Sequence, residues 1–209
     1  MSRGTVMRRS AGLVLVAVGL LAAAGCGGST REDGASPSES AASAALEQSR
    51  PTVAQGTFGA YSPGSKAATY DPTLVPSGSS ARLTIASVAD TTTVTLDARG
   101  LLPERTYGAH LHTKPCGATG DAAGPHYQHR TDPAASASPP SVDPAYANPQ
   151  NEVWLDLTTD SQGIGTSKSI QQWVFTAKPQ SLVLHAAKTQ TTPGKAGQAG
   201  ARVACLTVD

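Results

Sequence analysis

From about residue 66 to the C-terminus, the sequence contains short runs in which apolar and polar residues alternate. In ARLTIASV (residues 81–88), Leu83 and Ile85 alternate with polar neighbours, and TTTVTLDA (residues 91–98) repeats the pattern. A period of two is typical of a β-strand with one buried face. The dipeptide Ala-Asp between the two runs predicts a tight hairpin turn.

Further short runs carry a strand signature. They are AATY (67–70), TYGAHLH (106–112), EVWLDLTT (152–159), TSKSI (166–170), SLVLHA (181–186) and RVACLTV (202–208). There is no helix-period stripe, and Gly, Pro, Ser and Thr are plentiful. About eight strands in roughly 145 residues predict an all-β fold, either a sandwich or a barrel.

Two segments are too long to be hairpin turns. Residues 113–151 are rich in Gly, Pro, Ala and Asp, and residues 187–201 contain KTQTTPGKAGQAG. Both follow predicted strands that carry a histidine at or near their end. Loops of this length in a compact domain are usually functional or disordered, so we treat both as candidate functional loops.

The N-terminus predicts an exported lipoprotein. Arg3, Arg8 and Arg9 precede an apolar run (residues 11–24) that is too short to span a bilayer comfortably and fits a signal peptide. The run ends in AAAGCGG, which resembles a bacterial lipobox with Cys26 as the lipidated residue. The alternative is an ordinary signal peptide cut at an A-x-A site, with Cys26 incidental.

These boundaries predict a signal peptide (1–25), a flexible tether (26–63) and a β-domain (64–209). The tether is small, polar and poor in large apolar residues, so it cannot bury enough surface to repay ordering. Cleavage would remove three of the 16 Lys and Arg residues and leave 13 against 15 Asp and Glu. This slightly negative balance gives no indication of nucleic-acid binding.

If Cys26 carries lipid, two cysteines remain for the exported domain. In an oxidising compartment Cys116 and Cys205 are expected to pair, and the alternative is two free buried thiols. A bridge between them would stabilise the fold by roughly 4 kcal/mol in the chain-entropy account.

The five histidines lie at strand ends or in the first long loop. They are His110, His112, His126, His129 and His185. Residues i and i+2 of a strand share a face, so the first two should point away from the core, and the pattern of SLVLHA turns the last one outward as well. Imidazole suits copper, zinc, iron and nickel, and three or four converging histidines without thiolates in a tetragonal arrangement suit copper. The alternative is a structural β-domain with coincidental histidines.

Four motifs in order, GAHLHTKPC, AGPHYQH, SLVLHA and GQAGARVACL, resemble the signatures of the copper/zinc superoxide dismutase family. The resemblance covers about residues 66–209 and implies a Greek-key β-barrel. It also implies a Cys116–Cys205 disulfide and an Arg202 that lies beside the copper and attracts the anionic substrate. The residues that match the family's copper ligands are His110, His112, His126 and His185.

The family's zinc site is not matched. Where its final ligands should stand, the sequence reads NPQNEVWLDL, with Val153 in the place of an aspartate, and His129 follows His126 too closely. Asp132 and Asp143 would be poor substitutes as ligands. The loop after His185 has no acidic residue before Arg202, so the carboxylate that links the family's two metals is also predicted to be absent. One copper ion, with zinc doubtful, is therefore the expected cofactor.

The resemblance implies a copper-dependent superoxide dismutase, and the N-terminal lipobox pattern predicts that lipid holds it on the extracytoplasmic face of a bacterial membrane. In that reaction one superoxide is oxidised to O2 and a second is reduced to hydrogen peroxide. His126, free of zinc, would carry a proton on its far nitrogen, with either His129 or a loop carboxylate as the acceptor; the sequence does not choose between them. Lys188, Lys195 and Arg202 would form a positive rim. The alternative is a copper-buffering lipoprotein with little turnover. The sequence leaves the oligomeric state open.

Overall fold

The computed structural model describes residues 50–136 and 140–209. The predicted signal peptide, Cys26 and most of the predicted tether lie outside the described residues. The part of the chain that the structure describes is all-β apart from a short 3-10 helix, Gly120–Ala123. None of its helices is long and apolar enough to cross a membrane.

The described chain contains nine strands arranged in two antiparallel sheets. The strands are β1 (Thr52–Thr57), β2 (Ala67–Thr69), β3 (Ser80–Val88), β4 (Thr91–Arg99), β5 (Thr106–His112), β6 (Leu157–Thr158), β7 (Gly165–Gln171), β8 (Ser181–His185) and β9 (Arg202–Thr207). The first sheet has the order β1-β3-β4-β7, and the second has the order β2-β9-β8-β5-β6. The all-β prediction is confirmed.

The first sheet buries one face, as its sequence alternation predicts. In β4, Thr92, Val94, Leu96 and Ala98 are buried, while the residues between them are more exposed. Strands β3 and β4 form the predicted hairpin, and Val88 pairs with Thr91 across a two-residue turn. The inner face of this sheet packs on the second sheet, and both contribute to one hydrophobic core.

The second sheet is buried on both faces, which the alternation alone does not predict. Every residue of β8 is buried. Leu182 and Leu184 belong to the main core, whereas Val183 packs with Cys205 and Ala123 in a smaller cluster. Because consecutive side chains in a strand point to opposite faces, this smaller cluster lies on the other side of the sheet, under the 3-10 helix.

The predicted tether extends too far toward the C-terminus. Strand β1 lies inside residues 26–63 and pairs with β3 along its whole length. Phe58, just after β1, is 1% exposed, and both it and Ala54 belong to the core. The scarcity of large apolar residues predicts a tether there, but one phenylalanine and a ladder of backbone hydrogen bonds suffice at the edge of a sheet.

The predicted strand at residues 152–159 is mostly irregular. Only Leu157 and Thr158 form a ladder, as strand β6 beside β5. Upstream of β6, Glu152 makes a single bridge with Gln128, and Trp154 makes one with His110. A continuous strand does not form there because the two residues bridge to different segments. The irregular course brings polar side chains of this segment against the histidines.

Candidate metal centre

Four of the five histidines converge on the outer face of the second sheet, which points away from the main core. Two are provided by β5, one by the end of β8 and one by the loop after β5. Each offers one ring nitrogen, and these nitrogens all lie within 4.8 Å of one another. The group consists of His110, His112, His126 and His185, and within the described residues no other cluster of His, Cys, Asp or Glu could hold a metal.

Strand pairing creates this convergence. His185 lies opposite Gly108, two residues before His110, in the β5–β8 ladder. An isolated bridge between His112 and His126 brings the loop histidine over the end of β5. The ring centroids of His110 and His126 are 4.2 Å apart, and those of His110 and His185 are 4.7 Å apart.

The cluster faces away from the main core, as predicted, but it is not open to solvent on every side. His110 and His112 are both 0% exposed, and His185 is 4% exposed. The two long loops cover this face of the sheet. Only His126, whose side chain is 13% exposed, has appreciable contact with solvent.

Backbone carbonyls fix the ring protons of two of these histidines. His112 Nδ1 lies 2.9 Å from the carbonyl oxygen of Gly124, and His185 Nδ1 lies 3.3 Å from that of Gly200. Since a carbonyl can only accept a hydrogen bond, each Nδ1 carries the proton. Each ring therefore presents an unprotonated Nε2 to the centre of the cluster.

A buried carboxylate fixes the proton of His126. Glu152 is 2% exposed, and its Oε2 accepts from His126 Nδ1 at 2.8 Å and from Trp154 Nε1 at 2.7 Å. Its Oε1 accepts from Gln128 Nε2 at 2.9 Å. Three N–H donors thus satisfy the carboxylate, and His126 is left with a free Nε2.

His110 is oriented the opposite way. Its Nε2 lies 2.7 Å from Thr189 Oγ1, and that hydroxyl donates to Asp156 Oδ1 at 2.6 Å. The threonine proton is thereby committed to the carboxylate, so the threonine oxygen accepts from His110 Nε2–H. His110 offers Nδ1 to the cluster where the other three offer Nε2.

The free nitrogens fit a bound metal ion. His110 Nδ1, His112 Nε2 and His185 Nε2 are buried and make no hydrogen bond. Buried polar atoms are normally satisfied, and three unsatisfied lone pairs facing one point are the arrangement that a metal ion completes. The second nitrogen of each ring donates to a protein acceptor, which is typical of metal-ligating histidine.

The local electrostatics keep these imidazoles neutral. Burial lowers the pKa of His110 and of His112 well below the ordinary value, and the neighbouring His126 adds to the effect. Burial, with His126 again, lowers the pKa of His185 to about 3. Neutral imidazole is the form that binds metals.

Comparison with known proteins identifies the family. The family model described as copper/zinc superoxide dismutase matches residues 79–208. The chain belongs to the copper/zinc superoxide dismutase family. The search of curated proteins returns no match.

Two similar solved structures can be described. The copper/zinc superoxide dismutase from Brucella abortus is 17% identical, with a TM-score of 0.45 over 77% of this chain and 100% of that one. A double mutant of a SOD-like protein from Bacillus subtilis is also 17% identical with a TM-score of 0.45, over 61% of this chain and 87% of that one.

Arg202, which the resemblance placed beside the metal of a superoxide dismutase, adjoins the histidine cluster. Its Nη1 donates to the carbonyl oxygens of Gly120 at 3.1 Å and Gly124 at 2.8 Å, and the Gly124 oxygen also accepts from His112. Burial lowers the pKa of Arg202, while Asp121 opposes that change. An arginine nevertheless keeps its charge in proteins, so one positive charge is held next to the cluster.

The disulfide predicted between Cys116 and Cys205 is present, with the two Cα atoms 5.7 Å apart. It joins the loop after β5 to β9, and Cys116 N also donates to Thr207 Oγ1 at 3.2 Å. The loop that it anchors supplies the Gly124 carbonyl, which holds both His112 and Arg202. The disulfide therefore constrains the surroundings of this dismutase-like site.

A cavity of about 610 Å³ adjoins the cluster. His126, His185 and Arg202 contribute to its wall, together with Glu152 and residues of both long loops. The cavity gives small solutes a path to the least buried histidine and to the guanidinium. The prediction that both long loops are functional is thus consistent with their positions.

Three further acidic or imidazole side chains of the first loop, His129, Asp132 and Asp143, have other partners. The ring of His129 stacks on Trp173, with centroids 4.8 Å apart. Asp132 Oδ2 accepts from Ser141 Oγ at 2.6 Å, and Asp143 Oδ1 accepts from the backbone N–H of Ala145. None of these three belongs to the histidine cluster.

The sequence interpretation missed the three side chains that support the histidines: Glu152, Asp156 and Thr189. It predicted that the carboxylate linking the family's two metals is absent, because the loop after His185 contains no acidic residue, and it left His129 or a loop carboxylate open as the acceptor for His126. The carboxylates that support the cluster come from another segment. The signal available was that Glu152, Trp154 and Asp156 share the outward face of EVWLDL. Which residues that face meets depends on its bridges to β5 and to Gln128.

Proposed function

We propose that the protein is a copper-dependent superoxide dismutase that converts superoxide to O2 and hydrogen peroxide. The observation that carries the proposal is the group of four histidines whose ligand nitrogens all lie within 4.8 Å of one another. Their opposite nitrogens are all engaged, so the free lone pairs have a metal as their common partner. Membership of the dismutase family supports copper as that metal.

A copper ion held by His110, His112, His126 and His185 would supply the electron transfer between two superoxide anions. The protein residues bind and orient the reactants. Burial of three of the four rings limits access to the side of His126. Because this is also the side where the cavity lies, small anions reach the centre from one direction.

Arg202 attracts and orients the anion. Its guanidinium is held by two backbone carbonyls at the cavity wall. Lys188 and Lys195 are exposed on the loop 187–201, which also contributes to that wall. A cationic surface near a cavity raises the association rate of an anion, and added salt weakens this effect.

His126 and Glu152 hold a proton beside the reaction. The proton sits on His126 Nδ1 and is shared with Glu152 Oε2 at 2.8 Å. Glu152 remains bound to Trp154 and Gln128, so the carboxylate keeps its place while that proton moves. In this proposal Glu152 is the proton acceptor for His126 that the sequence alone does not identify.

We also propose that the enzyme works with copper alone. The other imidazole and acidic side chains of the first loop are His129, Asp121, Asp132 and Asp143. Asp121 Oδ1 lies 4.0 Å from Arg202 Nε, and the other three contact groups other than the four-histidine group. A second metal would therefore require these side chains to leave their present partners. In this proposal Glu152 supports His126 through a hydrogen bond.

The proposed location is the extracytoplasmic face of a bacterial membrane, with lipid on Cys26. The basic residues, the short apolar run and the small residues before Cys26 support this location. The Cys116–Cys205 disulfide is also typical of proteins from oxidising compartments.

The decisive experiment measures superoxide decay with the full chain loaded with one copper equivalent, at low and high salt. Superoxide dismutases work near the diffusional ceiling of about 10⁸–10⁹ M⁻¹ s⁻¹, which is a property of the class. We expect a rate within about a hundredfold of that ceiling. Arg202→Ala should lower the rate by roughly tenfold and reduce its salt dependence.

Arg82→Ala is the matched control, because it removes a cation that hydrogen-bonds Gln55 on the first sheet. Its rate should equal that of the wild type at high salt. A protein that binds copper tightly but accelerates superoxide decay no more than an inert protein would contradict the proposal. It would then be a copper-buffering lipoprotein.

A further inference from the structure

We propose that Thr189 and Asp156 form a positioning pair that holds the ring proton of His110 on Nε2 and thereby keeps Nδ1 available to the metal. The inference rests on the proposed metal function of the four-histidine group. It assigns a role to two residues of other segments, one in the loop after β8 and one just before β6.

The three groups form a continuous chain of hydrogen bonds. His110 Nε2 lies 2.7 Å from Thr189 Oγ1, and Thr189 Oγ1 lies 2.6 Å from Asp156 Oδ1. Thr189 N also donates to Asp156 Oδ2 at 2.8 Å, and Ala109 N donates to Asp156 Oδ1 at 3.3 Å. The Asp156 carboxylate therefore accepts hydrogen bonds both from Thr189 in the loop after β8 and from Ala109, the residue of β5 next to His110.

The carboxylate of Asp156 determines which group donates in each of these hydrogen bonds. A carboxylate only accepts, so the single hydroxyl proton of Thr189 points to Asp156 and the threonine oxygen can accept only from His110. Asp156 Oδ1 lies 3.9 Å from His110 Nε2, which is too far for a direct hydrogen bond. The hydroxyl is the necessary link between imidazole and carboxylate.

The burial of His110 makes the identity of its hydrogen-bond partner decisive. It is 0% exposed and Thr189 is 6% exposed. A neutral imidazole carries one ring proton, which either nitrogen can hold. Without an acceptor at Nε2 the proton could occupy Nδ1 and block the lone pair that faces the cluster. The negative charge of Asp156 behind the hydroxyl further strengthens His110 as a ligand.

Gly108 gives separate evidence that this contact depends on a close approach. A Cβ atom at Gly108 would lie 2.6 Å from Ala199 Cβ, 2.7 Å from the Ala187 carbonyl oxygen and 3.3 Å from Thr189 Oγ1. A larger residue would force the loop away from β5. The glycine two residues before His110 therefore lets the loop bring Thr189 against the imidazole.

The test uses Thr189→Val, which keeps the side-chain shape and removes the hydroxyl, and Thr189→Ser, which restores it. Nitrogen NMR of the histidine rings in the metal-free full chain reports which nitrogen carries the proton. We expect an Nε2–H signal for His110 in the wild type and in Thr189→Val a shift of the proton to Nδ1. Copper affinity should fall about 10–100-fold in Thr189→Val and return to within about threefold in Thr189→Ser.

Thr69→Val is the matched control. Thr69 is 7% exposed and its hydroxyl donates to the Val75 carbonyl oxygen. The Thr69→Val variant should be less stable than the wild type, but its His110 ring signal and its copper affinity should be unchanged. An unchanged ring proton and copper affinity in Thr189→Val would overturn the inference, as would an equal loss of affinity in Thr69→Val.

These readouts separate the positioning pair from the proposed function. Wild-type protein without dismutase activity, but with a His110 ring proton that depends on Thr189, would support the pair and contradict the enzyme. Active wild-type protein with an equally active Thr189→Val variant of unchanged copper affinity and ring signal would contradict the pair and leave the enzyme supported.

Discussion

At the residue scale, the second ring nitrogen of each clustered histidine determines what the first can do. Two rings donate to backbone carbonyls, one to a carboxylate and one to a hydroxyl. Each acceptor fixes one proton and leaves one lone pair directed at the cluster. Burial lowers the pKa of His110, His112 and His185, so these three rings stay neutral. Their buried ring nitrogens without a hydrogen bond are then available to a metal.

This arrangement predicts an acid-labile metal-free protein. The pKa values of His110, His112 and His185 are lowered, so these rings stay neutral in the fold while the unfolded chain takes up protons below about pH 6.5. The unfolded state then binds more protons than the folded state. The free energy of unfolding therefore decreases as the pH drops from about 6.5 toward the pKa of the ring in the folded protein, which is about 3 for His185. Each such histidine contributes about 1.4 kcal/mol per pH unit.

Denaturant unfolding of the metal-free full chain at pH 7 and pH 5 measures this effect. His185→Gln should flatten the dependence by about 1.4 kcal/mol per pH unit. His129→Gln controls for the loss of a histidine outside the cluster. A free energy of unfolding that is the same at both pH values in the wild type would show that the buried rings do not govern acid stability.

At the element scale, the two sheets have different tasks. The first sheet buries one face, and its hairpin β3–β4 is a regular ladder. The second sheet is buried on both faces because the long loops and the 3-10 helix cover its outer side. Strands β5 and β8 therefore hold three histidines on a rigid support while the loops supply their hydrogen-bond partners.

The turn of the β3–β4 hairpin offers a test of backbone geometry. Ala89 is its first residue and has a φ of 50°, in the left-handed region that glycine prefers. The left-handed conformation costs an alanine about 1–2 kcal/mol in the folded protein. A glycine at the same position lowers the stability by about 0.4–1 kcal/mol, because it makes the unfolded chain more flexible. Ala89→Gly should therefore raise the free energy of unfolding by about 0.5–1 kcal/mol, measured by denaturant titration.

Ala86→Gly in the adjoining strand is the control for this change. That position is part of the regular β3 ladder, opposite Thr93, and glycine there should lower stability by about 0.5–1 kcal/mol. A loss of stability in both variants would indicate that the left-handed conformation at Ala89 carries no strain.

At the scale of the whole molecule, one disulfide and two loops connect the metal centre to the fold. The Cys116–Cys205 bridge joins residues separated by 89 positions. It anchors the first loop on β9, next to Arg202. The loop after β8 binds to β5 through Asp156 and Thr189. The site is therefore formed only when the sheet and both loops are in place.

The proposed anchor belongs to the same scale, because it decides where the whole domain works. In a bacterial host, the wild-type chain should fractionate with membranes and gain the mass of a lipid at Cys26 after cleavage. Cys26→Ser should not gain the lipid mass, while Ser29→Ala should behave as wild type. A cleaved wild-type protein without lipid would favour the ordinary signal peptide.

Much of the fold follows from the sequence because strand periodicity is a local property. The β3–β4 hairpin and strand β5 were predicted within one or two residues, since alternation and turn residues are written in neighbouring positions. Strand β1 was missed because its stability comes from pairing with β3 and from the burial of Phe58, which no local pattern displays.

The four clustered histidines and the cysteine pair were also identified from the sequence, because their spacing on strands and their motifs are linear features. The tertiary structure alone decided what supports them. Glu152 reaches His126 across 26 positions, and Thr189 reaches His110 across 79. Such contacts depend on how an irregular segment and a long loop pack on a sheet, and side-chain hydrogen bonds between distant segments leave no periodic trace in the sequence.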